Sequence, residues 1–261
     1  MENTAPTIHP AAPSVTLVII DTESYELALR AVNESVAKFH FDRVLIFSDD
    51  ASKWGNYSVN VIPKLSQIHE FNQFIIKELP KYLETDFFLV IQFDGFILNA
   101  NEFRPEFFNF DYIGAPWDFF TTQTVGNGGF SLRSRKLAEA VAEFRYDPRV
   151  WPEDIFICRK NAHRLRTFYH CQIADEELAS HFSVENQSYS HSTFGFHGLV
   201  LLPYAYRGNL PFLIQHLPKR ILNNRKRYSE LEAGFNRFAP DHLEELRRAR
   251  SYAMLQAAYS N

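Results

Sequence analysis

Cysteine is scarce: the 261 residues contain two, Cys158 and Cys171. They form neither a CxxC pair nor a Cys/His spacing that would build a structural metal site. A disulfide framework is excluded, a single bridge is not, and the usage suits a reducing compartment. Excess positive charge is also missing. The formal net charge is -4, whereas a surface that tracks a nucleic-acid backbone leaves a basic signature, so no nucleic-acid partner is expected. No apolar run nears the length of a membrane span. Residues 1–14, MENTAPTIHPAAPS, lack the basic start and apolar centre of a signal peptide and read as a flexible N-terminus on a cytoplasmic protein. GxGxxG and Walker sequences are absent, so any phosphate would need a metal or basic side chains in place of a Gly-rich cradle.

What remains is apolar and rich in aromatics, with 25 Phe, and long enough to bury a core without staples. Residues 15–20 (VTLVII) form a β-branched run ending in Asp21-Thr22. Tyr25, Leu29, Val32, Val36 and Phe39 then fall on one helical stripe, and residues 43–47 (RVLIF) read as a second strand ending at Ser48-Asp49. Residues 59–62 give a third strand and 64–83 a long amphipathic helix. Strand and helix alternate, with acids and hydroxyls at the strands' C-terminal ends, as in an open α/β sheet whose ligands bind outside those ends.

The chain is organised around residues 86–99, DFFLVIQFDGFILN. A run buried on both faces halts at Gln92, Asp94 and Gly95, which delivers a carboxylate to the end of a core strand. Such an acid needs a cation, a hydrogen-bond cage or a water-filled cleft; a plain turn acid between two strands is the alternative. Further on, residues 111–118 (DYIGAPWD) read as a short strand and a turn presenting Trp117 and Asp118, which suits either sugar recognition or core filling by the indole. Gly128-Gly129, before Phe130-Ser131-Leu132-Arg133, marks a backbone that something approaches closely, or a bulge. Trp151-Pro152-Glu153-Asp154 opens a helix with two acids: an ordinary N-terminal signature, or an acid/base pair in a cleft. His197, flanked by Phe196 and Gly198, reads as a core histidine or a ligand, with His191 a poorer candidate. From residue 218 the chain turns basic and helical, with Lys219, Arg220, Arg225, Lys226, Arg227, Arg247, Arg248 and Arg250, as a solvated face or a peripheral contact with anionic lipid.

With IQFDGFIL at 91–98, DYIGAPW at 111–117, GNGGFSLRS at 126–134, PEDIFIC at 152–158 and FGFHG at 194–198 in order, the chain resembles nucleotide-sugar glycosyltransferases of the A-type fold. It is most similar to a family of bacterial glycosyltransferase-like proteins associated with surface polysaccharides. The resemblance covers roughly residues 15–200. It implies a single Rossmann-like α/β domain over 15–217 with a mixed, mostly parallel sheet, followed by a basic helical extension over 218–261. It also implies a nucleotide-sugar donor of UDP type, a glycan or lipid-linked acceptor, and Mn²⁺ or Mg²⁺ held by Asp94 and His197. By the same likeness Asp154, then Glu153, is the base of an inverting transfer. Asp21, Thr22, Asp49, Gln92, Asp94, Gly128, Gly129, Ser131 and Arg133 would line the donor site, and Trp117, Asp118 and Trp151 the acceptor site. One departure stands out: the first acid of the family's Asp-x-Asp metal motif is Gln92, which brings no charge. A non-catalytic carbohydrate- or nucleotide-binding module is the alternative reading.

Overall fold

The computed structural model describes residues 12–185 and 192–259; most of the N-terminal segment and His191 lie outside them. Six strands form the main sheet: β1 (Val15–Ile20), β2 (Arg43–Ser48), β3 (Val59–Val61), β4 (Phe87–Ile91), β5 (Tyr112–Gly114) and β6 (Ser131–Ser134), in the order β3-β2-β1-β4-β6-β5. β1, β2, β3 and β4 pair in parallel, and β6 runs antiparallel between β4 and β5. The sheet is therefore mixed and mostly parallel, flanked by helices, in a Rossmann-like α/β arrangement. Consecutive apolar residues suit it because helices cover both faces. Val15, Leu17 and Ile19 pack with Leu27, Ala28, Ala31 and Val32 of α1 (Tyr25–Val36), while Val18 and Ile20 pack with Phe74, Ile75 and Leu79 on the other face. Each such fully buried aliphatic side chain contributes about 1.5–3 kcal/mol.

The expected long helix over 64–83 is real but not uniform. α2 (Ile68–Gln73) opens with a capping box in which Glu70 accepts from the Gln67 N–H at 2.9 Å. It then widens into a π turn at Phe74–Glu78 and closes as 3-10 at Leu79–Tyr82. Pro80 has no N–H to continue an α-helical ladder, and the change of pitch accommodates it. The face of the sheet covered by α1 is completed by α7 (Leu202–Ala205), α8 (Leu210–His216), α9 (Lys219–Asn223), α10 (Arg225–Phe238) and α11 (Leu243–Tyr259). Leu222, Leu231, Phe235, Leu246 and Ala253 join the same core cluster as β1 and α1, so the basic C-terminal helices pack on the domain. Both cysteines are free and buried.

From β1 the chain moves outward to β2 and β3 and then returns to the other side of β1 as β4. The order reverses between β1 and β4, the kind of crevice in which open α/β sheets bind ligands. The C-terminal ends of both strands, Asp21 and Gln92, line a cleft there of about 180 Å³.

Candidate active site

Beyond β4 the backbone folds on itself: the Gln92 N–H donates to the Gly95 carbonyl at 2.9 Å and the Gly95 N–H returns to Gln92 at 3.0 Å. This tight reversal buries Asp94 to 1% exposure at the cleft floor. His197 arrives from the far end of the chain, after α6 (Glu176–Phe182) and the parallel pair β7 (Ser183–Val184) and β8 (Gly195–Phe196). Its N–H bonds the Val184 carbonyl, and the next residue, Gly198, donates to the Asp94 carbonyl at 2.8 Å. His197 Nε2 lies 3.2 Å from Gln92 Oε1 and 3.7 Å from Asp94 Oδ1, while Nδ1 faces Glu185 Oε1 at 3.5 Å. Burial works against a charged imidazole here, but Glu185 and Asp94 on its two sides more than offset that and raise its pKa above the ordinary value. Burial likewise opposes the Glu185 charge, and His197 outweighs it, holding that carboxyl below its usual range.

Gly129 accounts for how closely these groups meet. A methyl group there would lie 2.1 Å from His197 Nε2, and one on Gly128 would lie 1.7 Å from Glu153 Oε1. The double glycine is thus a thin partition, with Asp94 and His197 on one side and the Glu153–Asp154 pair on the other. Asn127, in the left-handed region at φ 59°, turns the chain into it and accepts from the Gly129 N–H at 3.2 Å.

Glu153 and Asp154 open α4 (Glu153–Ile155), which widens into a π turn at Phe156–Lys160. Their environments differ sharply. Glu153 is buried and grips Arg133 with both oxygens, at 2.9 and 3.1 Å, while Arg133 also reaches Ser131 Oγ and the Gly128 carbonyl. Burial opposes the Arg133 charge, but Glu153 more than compensates and the guanidinium stays firmly protonated. Ser131, Arg133 and Glu153 therefore form a closed buried network that shapes the glycine loop from behind. Asp154 has no cationic partner of its own among the described residues and accepts from two backbone groups, the Ile155 N–H at 2.7 Å and the Gly128 N–H at 3.3 Å. Burial first, and the Glu153 charge second, push its pKa up to about 6.

Of the other anticipated residues, Asp21 and Thr22 line the cleft with Gln92 and Asp94. Asp21 accepts from the Glu23 and Ser24 N–H groups, yet burial prevails and its pKa rises to about 6. The Thr22 hydroxyl is engaged with the Leu65 backbone. Asp49 is not among the residues lining the cleft; its carboxylate accepts from the Tyr25 hydroxyl at 2.7 Å. Trp117 is 5% exposed and lies against Gly126, whose missing side chain makes room for the indole. In the same turn Asp118 is exposed, and the ring turned to solvent is Phe119, 65% exposed. Trp151 is half-buried, with Lys160 Nζ 5.4 Å from its ring centre.

Sequence reasoning assigned no role to Glu185 or Asn127, and it read two arginines of the site as part of a solvated or lipid-facing basic stretch. Arg220 on α9 and Arg227 on α10 line the cleft together with Gln92 and Asp94. By contrast Arg247 pairs with Glu232, Arg248 with Glu244, and Arg250 covers the Tyr228 ring. A larger hollow of about 660 Å³ opens between the 123–125 loop, α5 (Ala162–Tyr169) and α6. Its acids are already committed, Asp175 to the cap of α6 and Glu176 to Thr124, and none of the converging groups described above borders it.

Among the described residues no group of three or more His, Cys, Asp or Glu side chains is arranged to hold a metal ion. The donors at hand are Asp94, the Gln92 amide oxygen and His197, and Asp94 Oδ1 is buried without a hydrogen-bond partner. An orphaned carboxylate oxygen of this kind fits a cation that keeps most of its positions for water and phosphate, as Mg²⁺ does, and not a closed protein cage.

Residues 56–197 match the model of a family described as "Protein of unknown function (DUF5672)", which is more than half of the chain. The chain belongs to the DUF5672 family. The matched segment of this DUF5672 member runs from just before β3 to His197 and so contains Asp94, the glycine loop, Glu153 and Asp154. No curated protein sequence matches it. Among solved structures it is similar to a mannosyltransferase of Pyrobaculum calidifontis in complex with GDP-Man and Mn²⁺, at 11% identity and a TM-score of 0.46, over 97% of this chain and 77% of that one. A glucosyl-3-phosphoglycerate synthase of Mycobacterium tuberculosis, in complex with Mn²⁺, UDP-glucose and glycerol 3-phosphate, is similar over 49% of this chain and 58% of its own, at 10% identity and a TM-score of 0.33. A further mycobacterial protein matches over 49% of this chain and 55% of its own, at 9% identity and a TM-score of 0.33. At such scores none of these similarities bears on what this DUF5672 chain does.

Proposed function

We propose that the chain is a glycosyltransferase that moves a sugar from a nucleotide donor, of UDP type, to a glycan or lipid-linked acceptor in surface polysaccharide synthesis. The observation that carries this reading is the meeting of Asp94 and His197, 3.7 Å apart beside the Gly129 backbone, at the floor of a cleft where the strand order reverses. The nucleoside would lie toward Asp21 and the diphosphate over Asp94. Asp94, Gln92 and His197 would hold Mn²⁺ or Mg²⁺, which when bound offsets the charge that gathers on the departing diphosphate.

The chain's own part is positioning and proton transfer. Gly128 and Gly129 let Glu153 and His197 close on the loop backbone, and the Arg133–Glu153 pair fixes that loop. Asp154 takes the proton from the acceptor hydroxyl, a task that suits a carboxylate with a pKa of about 6. A base on the side of the sugar away from the leaving group gives inversion. Glu153, with both oxygens committed to Arg133, serves as a support. The exposed Lys219, Arg225 and Lys226 suit an acceptor presented at an anionic lipid surface.

The non-catalytic module is favoured by one feature, the uncharged Gln92. A panel of nucleotide sugars tested for thermal stabilisation with Mn²⁺ present, followed by a transfer assay on those that bind, separates the two. The enzyme reading expects a raised melting temperature and released nucleoside diphosphate; a raised melting temperature with no turnover on any acceptor points to the module.

A further inference from the structure

We infer that Arg220 and Arg227 form an anion clamp that holds the donor's diphosphate in the cleft, so that the C-terminal helices complete the donor site. This rests on the donor reading above and adds to it residues beyond the segment that matches the family model, which ends at His197.

Both arginines line the same cleft as Gln92 and Asp94. α9 and α10 are anchored by Ile221, Leu222, Tyr228 and Leu231, all buried, so the two side chains project from fixed positions. Neither guanidinium is locked away. Arg220 is 52% exposed, with its Nε 2.5 Å from Glu23 Oε2 and its head group 5.8 Å from the Phe93 ring centre. Arg227 is 47% exposed, and its paired acid, Glu230, stands at 3.8 Å, beyond hydrogen-bond length. Two half-exposed guanidiniums in a cleft that also holds Asp21, the buried Asp94 and the Glu23 paired with Arg220 leave cationic forks toward solvent, and planar forks match phosphate oxygens two at a time. Gln92 supplies the reason such a clamp is wanted. With an amide where a second acid would stand, the floor attracts a cation less strongly, and more of the diphosphate charge falls to the chain's own cations. Glu23 then acts as a placeholder on Arg220, displaced when phosphate arrives.

Calorimetry on the full chain with UDP, GDP, the matching monophosphates and inorganic pyrophosphate, in Mn²⁺ and again in chelator, tests this. Wild type is expected to bind at least one diphosphate more tightly than its monophosphate. Arg220→Ala and Arg227→Ala should each lose about ten- to hundredfold in diphosphate affinity and erase most of that preference. Arg227→Lys should recover part of the loss, and Glu23→Gln should tighten binding severalfold by freeing Arg220. Melting temperatures close to wild type establish that the variants are folded. Wild-type diphosphate affinity and preference in both alanine variants would overturn the clamp and leave the donor reading standing. A wild type that binds neither diphosphate would overturn the donor reading and the clamp together.

Discussion

Asp154 and Glu153 are neighbours in sequence, yet the fold gives them opposite characters. Glu153 has both oxygens on a buried guanidinium; Asp154 has one long hydrogen bond to the glycine loop and one to its own helix. Folded Asp154 keeps its proton to about pH 6, against 3.8 in the ordinary state, so between those values the folded chain binds more protons than the unfolded one. The contribution of this group to stability therefore declines as pH rises through that window. Asp154→Asn should accordingly raise stability by about 1–2 kcal/mol at pH 7.5 and give no gain at pH 4, while transfer falls by at least about a hundredfold. Melting curves at the two pH values and a transfer assay check this. Wild-type kcat/KM should drop as pH falls below about 6, when the base becomes protonated. Glu153→Gln behaves in the other direction: it leaves the Arg133 charge buried without its counter-ion and should cost about 3–5 kcal/mol by denaturant unfolding. A Glu153→Gln protein as stable as wild type would return Glu153 to the list of bases.

At the level of elements, the glycine loop before β6 decides whether the two halves of the site can meet. Gly129→Ala places a methyl group 2.1 Å from the His197 ring, which must swing away from Asp94. The expected result is a loss of nucleotide-dependent thermal stabilisation of about tenfold or more in ligand concentration, with the melting temperature of the free protein lowered only modestly. This loop was legible in the sequence, because adjacent glycines before an alternating strand have few explanations. β4 was legible for a similar reason: a run of Phe, Leu, Val and Ile that gives way to Gln92, Asp94 and Gly95 is a local signal. Trp117 was not. Its indole could face sugar or core, and the choice falls to Gly126, which leaves it a slot in the interior. The pairing of Glu153 with Arg133 escaped in the same way, since an acid at a helix start looks alike whether it faces solvent or a guanidinium brought in by another strand.

Over the whole molecule, the parallel half of the sheet could be read from strand and helix order, but which strand ends the cleft opens between could not. The reversal between β1 and β4 depends on which edge the fourth strand joins. The role of the C-terminal helices depends on their packing beside α1, which a basic composition alone does not reveal. Their charges divide once folded: Arg247 and Arg248 pair with Glu232 and Glu244 and Arg250 stacks on Tyr228, while Arg220 and Arg227 line the cleft. The sheet delivers Asp94 and the chain's later turn delivers His197 to one place, and that convergence marks the cleft as the place for donor chemistry. The most direct trial is the release of nucleoside diphosphate from a sugar donor by wild type and by Asp94→Asn, each with Mn²⁺ and with chelator. Turnover in wild type that is lost in the variant, and reduced by chelator, is the expected result; equal turnover in both proteins would mean that the cleft between β1 and β4 is not where the donor reacts.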